Sequence, residues 1–292
     1  WMAEHHNTNA YVSSAPEITV SYIAAKTNRI RVGTGGTMVM HYSPYKIAEV
    51  FKTLSALAPG RIDFGAGRAP GGDPRAILAL SEGRRPDTEH LYEKIETTLQ
   101  LINEEKPEDP TYKHVMTTPQ NIMLPEAWLL GSTGNSAVQT GRMGIGYSYA
   151  QFFNGIMEEE IFDSYRENFV PSDFMEKPEI MVSYFVRVAE TREEAEYQGK
   201  PSDIARIMLR KGDLNHQRMT PEEAKDFEFT ELDKMWLEDT RSQHLIGTPK
   251  EEADYLLKDQ AKYGFDEAMI CTIPHSQEQR LNVYRLLAKE LL

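Results

Sequence analysis

The sequence predicts an α/β fold of parallel strands joined by crossover helices, with an eight-stranded (β/α)8 barrel favoured over a doubly wound sheet. Three observations point this way. Strand-like runs repeatedly break into Gly, Ser, His or Pro clusters, and most are followed by stretches with helical apolar spacing. Such alternation implies parallel strands with right-handed crossovers. The length, 292 residues with 40% hydrophobic and 26% charged, suits one large barrel with a sizeable core.

Taken in order, Trp1-Met2-Ala3-Glu4-His5-His6 reads as the end of a strand whose beginning is absent. Arg29 to Gly36 is a short β run that dissolves into glycines. Residues 44–58 place Ile47, Val50, Phe51, Leu54 and Leu57 on one helical stripe, which Pro59-Gly60 ends. Arg61 to Arg68 repeats the strand-into-glycine pattern, and Leu91, Ile95, Leu99 and Ile102 mark a helix over 88–103. Ala127 to Ser132 is a buried-type strand followed by a short helix from Ser136 to Met143. Ile145 to Phe153 is strand-like and aromatic, and Ile180 to Ala189 is the longest β run. Residues 201–245 read as a charged helical excursion between the last two strands. Ala268 to Ile273 is the last strand, with a C-terminal helix over 276–291. These make seven strands, and one further N-terminal strand would complete eight. With no linker rich in Pro, Gly or Ser, residues 1–292 are expected to form a single domain.

Charge and cysteine content narrow the function. There are 32 Lys+Arg against 45 Asp+Glu, a formal net charge of −13, which disfavours a nucleic-acid or anionic-membrane surface. The single cysteine, Cys271, excludes an internal disulfide and an all-cysteine metal site. No apolar run approaches the roughly 18–20 residues of a membrane helix, so a cytoplasmic protein is expected.

In a barrel the chemistry sits where strands end and βα loops begin. Glu4-His5-His6 supplies carboxylate and imidazole, which could ligate zinc. Adjacent histidines on a strand face opposite ways, however, and no companion ligand group is visible. A pocket-lining base or hydrogen-bonding histidine is therefore preferred over a metal site or a structural pair. Gly33 to Gly36 and Gly65 to Gly67 lack the G-x-G-x-x-G spacing of a dinucleotide fingerprint. They offer either close backbone approach to a flat ligand or a tight turn. Gly131-Ser132-Thr133-Gly134-Asn135-Ser136 follows a strand and opens a helix, so it suits either a phosphate or an ordinary N-cap. Arg68, at an earlier strand end, could clamp the same phosphate. Arg84-Arg85 and Glu158-Glu159-Glu160 read as solvated faces, the aromatic stretch 145–157 as core or pocket wall, and Cys271 as an inert buried thiol.

These blocks, taken together, resemble the bacterial-luciferase-like flavin monooxygenases. The resemblance is carried by Ala3-Glu4-His5-His6-Asn7, Gly33 to Gly36, His41-Tyr42-Ser43-Pro44 and Pro59-Gly60-Arg61-Ile62-Asp63. Gly65 to Gly72, Leu129 to Ser132 and Leu245-Ile246-Gly247-Thr248-Pro249 follow in the family's order. Relative to that pattern roughly 40 N-terminal residues, with the first strand and helix, are missing. The resemblance implies a (β/α)8 barrel that binds reduced FMN at the strand ends, forms a C4a-hydroperoxyflavin with O2 and oxygenates a small organic substrate.

The same resemblance puts His5 at the catalytic histidine position and Gly35-Gly36 where the family often has a non-prolyl cis peptide under the isoalloxazine. Arg68 falls at the phosphate-binding arginine, and Ser132, Thr133 and Ser136 at the phosphate loop. Gly67 stands where luciferase has a cysteine. A separate flavin reductase, a homodimer, a substrate pocket walled by Tyr147 to Phe153 and a lid including Arg84-Arg85 are implied in the same way. The alternatives are coenzyme F420-dependent hydride transfer on the same barrel and a non-catalytic flavin-binding protein. A metal-dependent hydrolase is more distant.

Overall fold

A computed structural model describes residues 1–8, 11–213 and 216–292. Close contacts divide the chain into two compact units, Trp1–Ser148 with Glu160–Glu179, and Tyr149–Glu159 with Ile180–Leu292.

The first unit contains β1 (Val32–Gly33), β2 (Thr37–Met38), β3 (Ile62–Gly67), β4 (Glu126–Gly131) and the start of β5 (Gly146–Ala150). Its helices are α1 (Pro16–Lys26), α2 (Pro44–Leu57), α3 (Pro74–Leu80), α4 (Leu91–Ile102) and α5 (Gly134–Met143). β3 is buried throughout, as expected of a parallel strand covered on both faces. It pairs in parallel with β1, β2 and β4. The segment read as a strand over 29–36 is shorter than expected. β1 stops at Gly33, the Gly35-Gly36 peptide is cis, and the chain rejoins β3 as β2, with Thr37 opposite Ala66. At the N-terminus only Met2 forms a bridge, parallel to Thr34.

α2 and α4 form where the apolar stripes predict. Ile47, Ala48, Phe51 and Leu54 of α2 are buried with Ile95, Leu99 and Ile102 of α4 in one core, and Phe51 packs 4.5 Å from Phe64 of β3. Gly60, at φ 72°, supplies the left-handed conformation that turns the chain from α2 into β3. Lys52 is fully buried in α2 and pairs with Glu104 at 3.0 Å. α1 and α3 were not legible in the apolar spacing. α1 buries Pro16, Val20 and Ala24 while exposing Ile18 and Tyr22, so no single stripe stands out.

β5 ends at Ala150, and Gln151–Asn154 forms the short helix α6 rather than continuing as strand; α7 (Glu159–Glu167) follows. The second unit is built on β6 (Ile180–Val188), with β7 (His244–Gly247) and β8 (Glu267–Cys271) both parallel to it. Its other helices are α8 (Arg192–Arg210), α9 (Pro221–Ala224), α10 (Glu231–Asp239), α11 (Pro249–Tyr263) and α12 (Gln277–Leu291). β7 lies at the end of what the sequence suggested was a purely helical excursion. Its four residues leave no room for a period-2 pattern to register. Cys271 is partly exposed, and burial raises its thiol pKa. Glu158, Glu159 and Glu160 are exposed. No helix among the described residues is long and apolar enough to cross a membrane.

Candidate functional site

The predicted catalytic and cofactor-binding residues all lie in the first unit, at or beyond the C-terminal ends of its strands, whereas residues 149–153 of the predicted pocket wall belong to the second unit. Glu4 follows the Met2 bridge and is 1% exposed. Its carboxylate accepts from Met38 N (2.8 Å), the Tyr42 hydroxyl (2.6 Å) and His6 Nε2 (2.8 Å). It therefore ties the residue before His5 to the end of β2 and to the Tyr42 loop. Burial, followed by the hydrogen bond to Glu4, raises the Tyr42 pKa and keeps its hydroxyl a donor.

His5 and His6 face different neighbours. The His5 ring stacks on Tyr11 at 4.4 Å. The His6 ring meets His41 edge-on at 5.9 Å, and His41 Nε2 lies 2.8 Å from Pro70 O. Burial and the neighbouring His6 lower the His5 pKa, with Glu4 opposing. His5 is therefore a neutral imidazole at pH 7, able to accept a proton or a hydrogen bond. Among the described residues no group of three or more His, Cys, Asp or Glu could hold a metal ion.

The glycines of the site are sterically required. A Cβ on Gly36 would lie 2.8 Å from Gly67 N and 2.9 Å from Gly65 O, and one on Gly35 would lie 3.0 Å from the Trp1 side chain.

Arg68 leaves the end of β3 with its guanidinium 4.7 Å from the Tyr92 ring centre, a cation–π arrangement. Its Nε is buried without a hydrogen-bond partner. Asn135, in the first turn of α5, donates to the Tyr92 hydroxyl at 3.4 Å. Tyr92 thus joins Arg68 to the helix N-terminus. A cavity of about 470 Å³ adjoins, lined by Arg68, Met40, Pro70, Ile77 and Arg85 among others. Arg84 instead pairs with Glu82 at 2.6 Å, both exposed.

The loop into α5 is a reciprocal cap. Thr133 Oγ1 accepts from Ser136 N at 3.3 Å, and Ser136 Oγ accepts from Thr133 N at 3.2 Å. Ser136 is fully buried, donates to Thr133 O at 2.7 Å and lies 3.0 Å from the Tyr147 hydroxyl. Its hydroxyl shapes the loop from behind, while Thr133 is exposed and Ser132 partly so. Gly131 makes this possible, since a Cβ there would meet Ser136 Oγ at 2.3 Å.

Sequence reasoning missed Tyr92 and the three donors to Glu4. Tyr42 stood in a quoted motif, but Tyr92 sits on a helix recognised only for its apolar stripe.

Comparison with known proteins places the chain in a family. The luciferase-like monooxygenase family profile covers residues 1–267. An N-acetyl-S-alkylcysteine monooxygenase of Bacillus subtilis (strain 168) is 34% identical over 297 residues, spanning 100% of this chain and 87% of the relative. The crystal structure of apo-MsnO8 superposes with a TM-score of 0.88 at 32% identity, covering 99% of this chain and 86% of that one. The oxygenating constituent of 3,6-diketocamphane monooxygenase from Pseudomonas putida, solved with FMN, shares the fold at a TM-score of 0.69 and 18% identity, over 99% and 86% of the two chains. These neighbours are barrel enzymes, which agrees with the predicted α/β barrel class. The chain belongs to the luciferase-like monooxygenase family.

Proposed function

We propose that this protein is a monooxygenase that uses reduced FMN and O2 to oxygenate a small organic substrate, working as a homodimer supplied by a separate flavin reductase. The observation that carries the reading is Arg68. Its buried Nε lacks a partner, and Tyr92 couples it to the N-terminal turn of α5. A guanidinium beside a helix N-terminus matches a phosphate in charge and hydrogen-bonding geometry.

On this reading Arg68, Ser132 and Thr133 hold the phosphate, and Ser136 fixes the loop that presents it. Gly35 and Gly36 give the flat ring a surface free of side chains. His5 is the acid/base group, and Glu4 positions it from the preceding residue. When bound, the reduced flavin supplies oxygen activation and transfer. The protein orients it and keeps water away.

Arg68→Ala is expected to weaken FMN binding by about 1.5–3 kcal/mol, the scale of hydrogen bonds to a charged group. Fluorescence titration of the flavin reads this directly, and unchanged affinity would remove Arg68 from the site. His5→Ala is expected to lower kcat at least tenfold while FMN affinity stays within about twofold. Lost affinity with preserved kcat would make His5 a binding residue. The same preparations, offered FMN and coenzyme F420 in turn, discriminate the two cofactors: tighter retention of the deazaflavin would replace oxygenation by hydride transfer. N-acetyl-S-alkylcysteines, named in the Bacillus relative, are the first substrates to screen for product against peroxide release.

A further inference from the structure

The second unit carries a concentration of buried positive charge that the proposed flavin site does not use. Along β6, Tyr184 reaches Asp259 of α11 at 3.1 Å, so alternation turns Phe185 and Arg187 to the opposite face. Phe185 stacks on His244 with centroids 5.2 Å apart and an interplanar angle of 4°, and Phe152 packs 4.5 Å away.

Arg187 donates to Gly199 O at 3.0 Å and lies 3.8 Å from Asp203. Arg206 lies 3.7 Å from the same carboxylate, donates to Thr240 Oγ1 at 2.8 Å and Gln243 Oε1 at 3.3 Å, and covers the Trp236 ring at 4.9 Å. Arg241 is near enough to act on His244 together with these two. Arg187 and Arg206 thus share the Asp203 carboxylate, and Arg241 adds a third guanidinium to the same locality. Glu252, a carboxylate on which Arg241 also acts, is pushed up to about 7 by burial, so near neutrality it only partly offsets the charge. In a chain of net charge −13, such an excess is a local arrangement rather than a bulk property.

Two unpaired atoms face this region. His244 Nδ1 is buried without a partner. Gln151, 1% exposed, donates through Nε2 to Gly155 O (3.0 Å) and Ser242 O (2.8 Å). Those two carbonyls fix the amide orientation, so the atom left unpaired is the acceptor Oε1.

We propose that Arg187, Arg206, Arg241, His244 and Gln151 form a recognition site for a small organic carboxylate that also carries an N–H or O–H donor. The arginines take the carboxylate, Gln151 Oε1 takes the donor, and the rings of Phe152 and Phe185 take the carbon skeleton. The rings favour an organic acid over bare phosphate. As the substrate class of a monooxygenase the inference rests on the proposed function, but binding at this site does not.

The test is isothermal titration of the full chain, without flavin, with N-acetyl-L-methionine, hippurate and phenyllactate, each against its methyl ester, and with inorganic phosphate. At least one acid is expected to bind tenfold or more tighter than its ester. Arg241→Gln and Arg206→Gln are each expected to weaken that acid at least tenfold, while Arg210→Gln, on an exposed position, leaves it unchanged. Equal binding of acids and esters, binding of phosphate alone, no binding, or indifference to both substitutions would overturn the proposal. FMN titration of the same variants is expected to be unaffected. Failure here with intact flavin binding is thus distinguishable from failure of the flavin reading.

Discussion

Replacing Glu4 by Ala is expected to lower folding stability by about 3–5 kcal/mol, the range for removing one member of a buried charged network. The carboxylate is 1% exposed and accepts from a backbone N–H, a phenol and an imidazole. Alanine leaves Met38 N, the Tyr42 hydroxyl and His6 without their acceptor, and each stranded buried donor costs about 1–3 kcal/mol. Glu4→Gln separates charge from shape. One amide orientation keeps an oxygen toward Met38 N and turns the NH2 toward Tyr42 Oη and His6, both of which can change from donor to acceptor. Glutamine is therefore expected to lose less than half of what alanine loses. Urea unfolding of the three proteins checks this. An alanine variant within about 1 kcal/mol of the parent would mean that the network does not hold the Glu4-His5-His6 segment against β2.

The contrast between Glu4 and Arg68 shows which parts of the site were legible. A charged or imidazole residue where an apolar run breaks into glycine is visible in a single segment, and that signal singled out His5, Arg68 and the Ser132-Thr133 turn as candidates. Arg68's relation to Tyr92, and Glu4's relation to Met38 and Tyr42, join segments 24 to 38 positions apart, and no local pattern encodes them. Helix existence followed the same logic. α2 and α4 announce themselves because one face is apolar and the other is not. α1 hides because Ile18 and Tyr22 lie exposed opposite a buried face of Pro16, Val20 and Ala24. The shortening of β1 was invisible for a different reason. The glycines show that side chains are absent at 35 and 36, but the backbone of β3 shows why: it passes too close to the chain there for a Cβ on Gly36.

Two groups oppose each other as pH drops through the histidine range: Glu252, whose pKa burial pushes up to about 7, gains stability for the fold, and His244 costs it. Burial first, then Arg206, Arg187 and Arg241, bring its pKa down to about 3. In the unfolded chain an imidazole titrates near 6.5. Between those two values this group binds one more proton in the unfolded state than in the folded state, so its contribution to stability rises with pH across the window. The contribution is complete above about 6.5, where both states are neutral, and is lost progressively as the pH falls toward the folded value. A full unit is worth about 1.4 kcal/mol, and with the unfolded imidazole already half protonated at about 6.5, acidification to about 4.5 is expected to remove about 2 kcal/mol through this one group. His5, whose pKa is also lowered, adds in the same direction. His244→Gln cannot charge, and on acidification over that interval its stability is expected to gain on the parent's by about that amount, measured by denaturant unfolding at fixed ionic strength. Parallel profiles would place a solvated, ordinary imidazole at position 244.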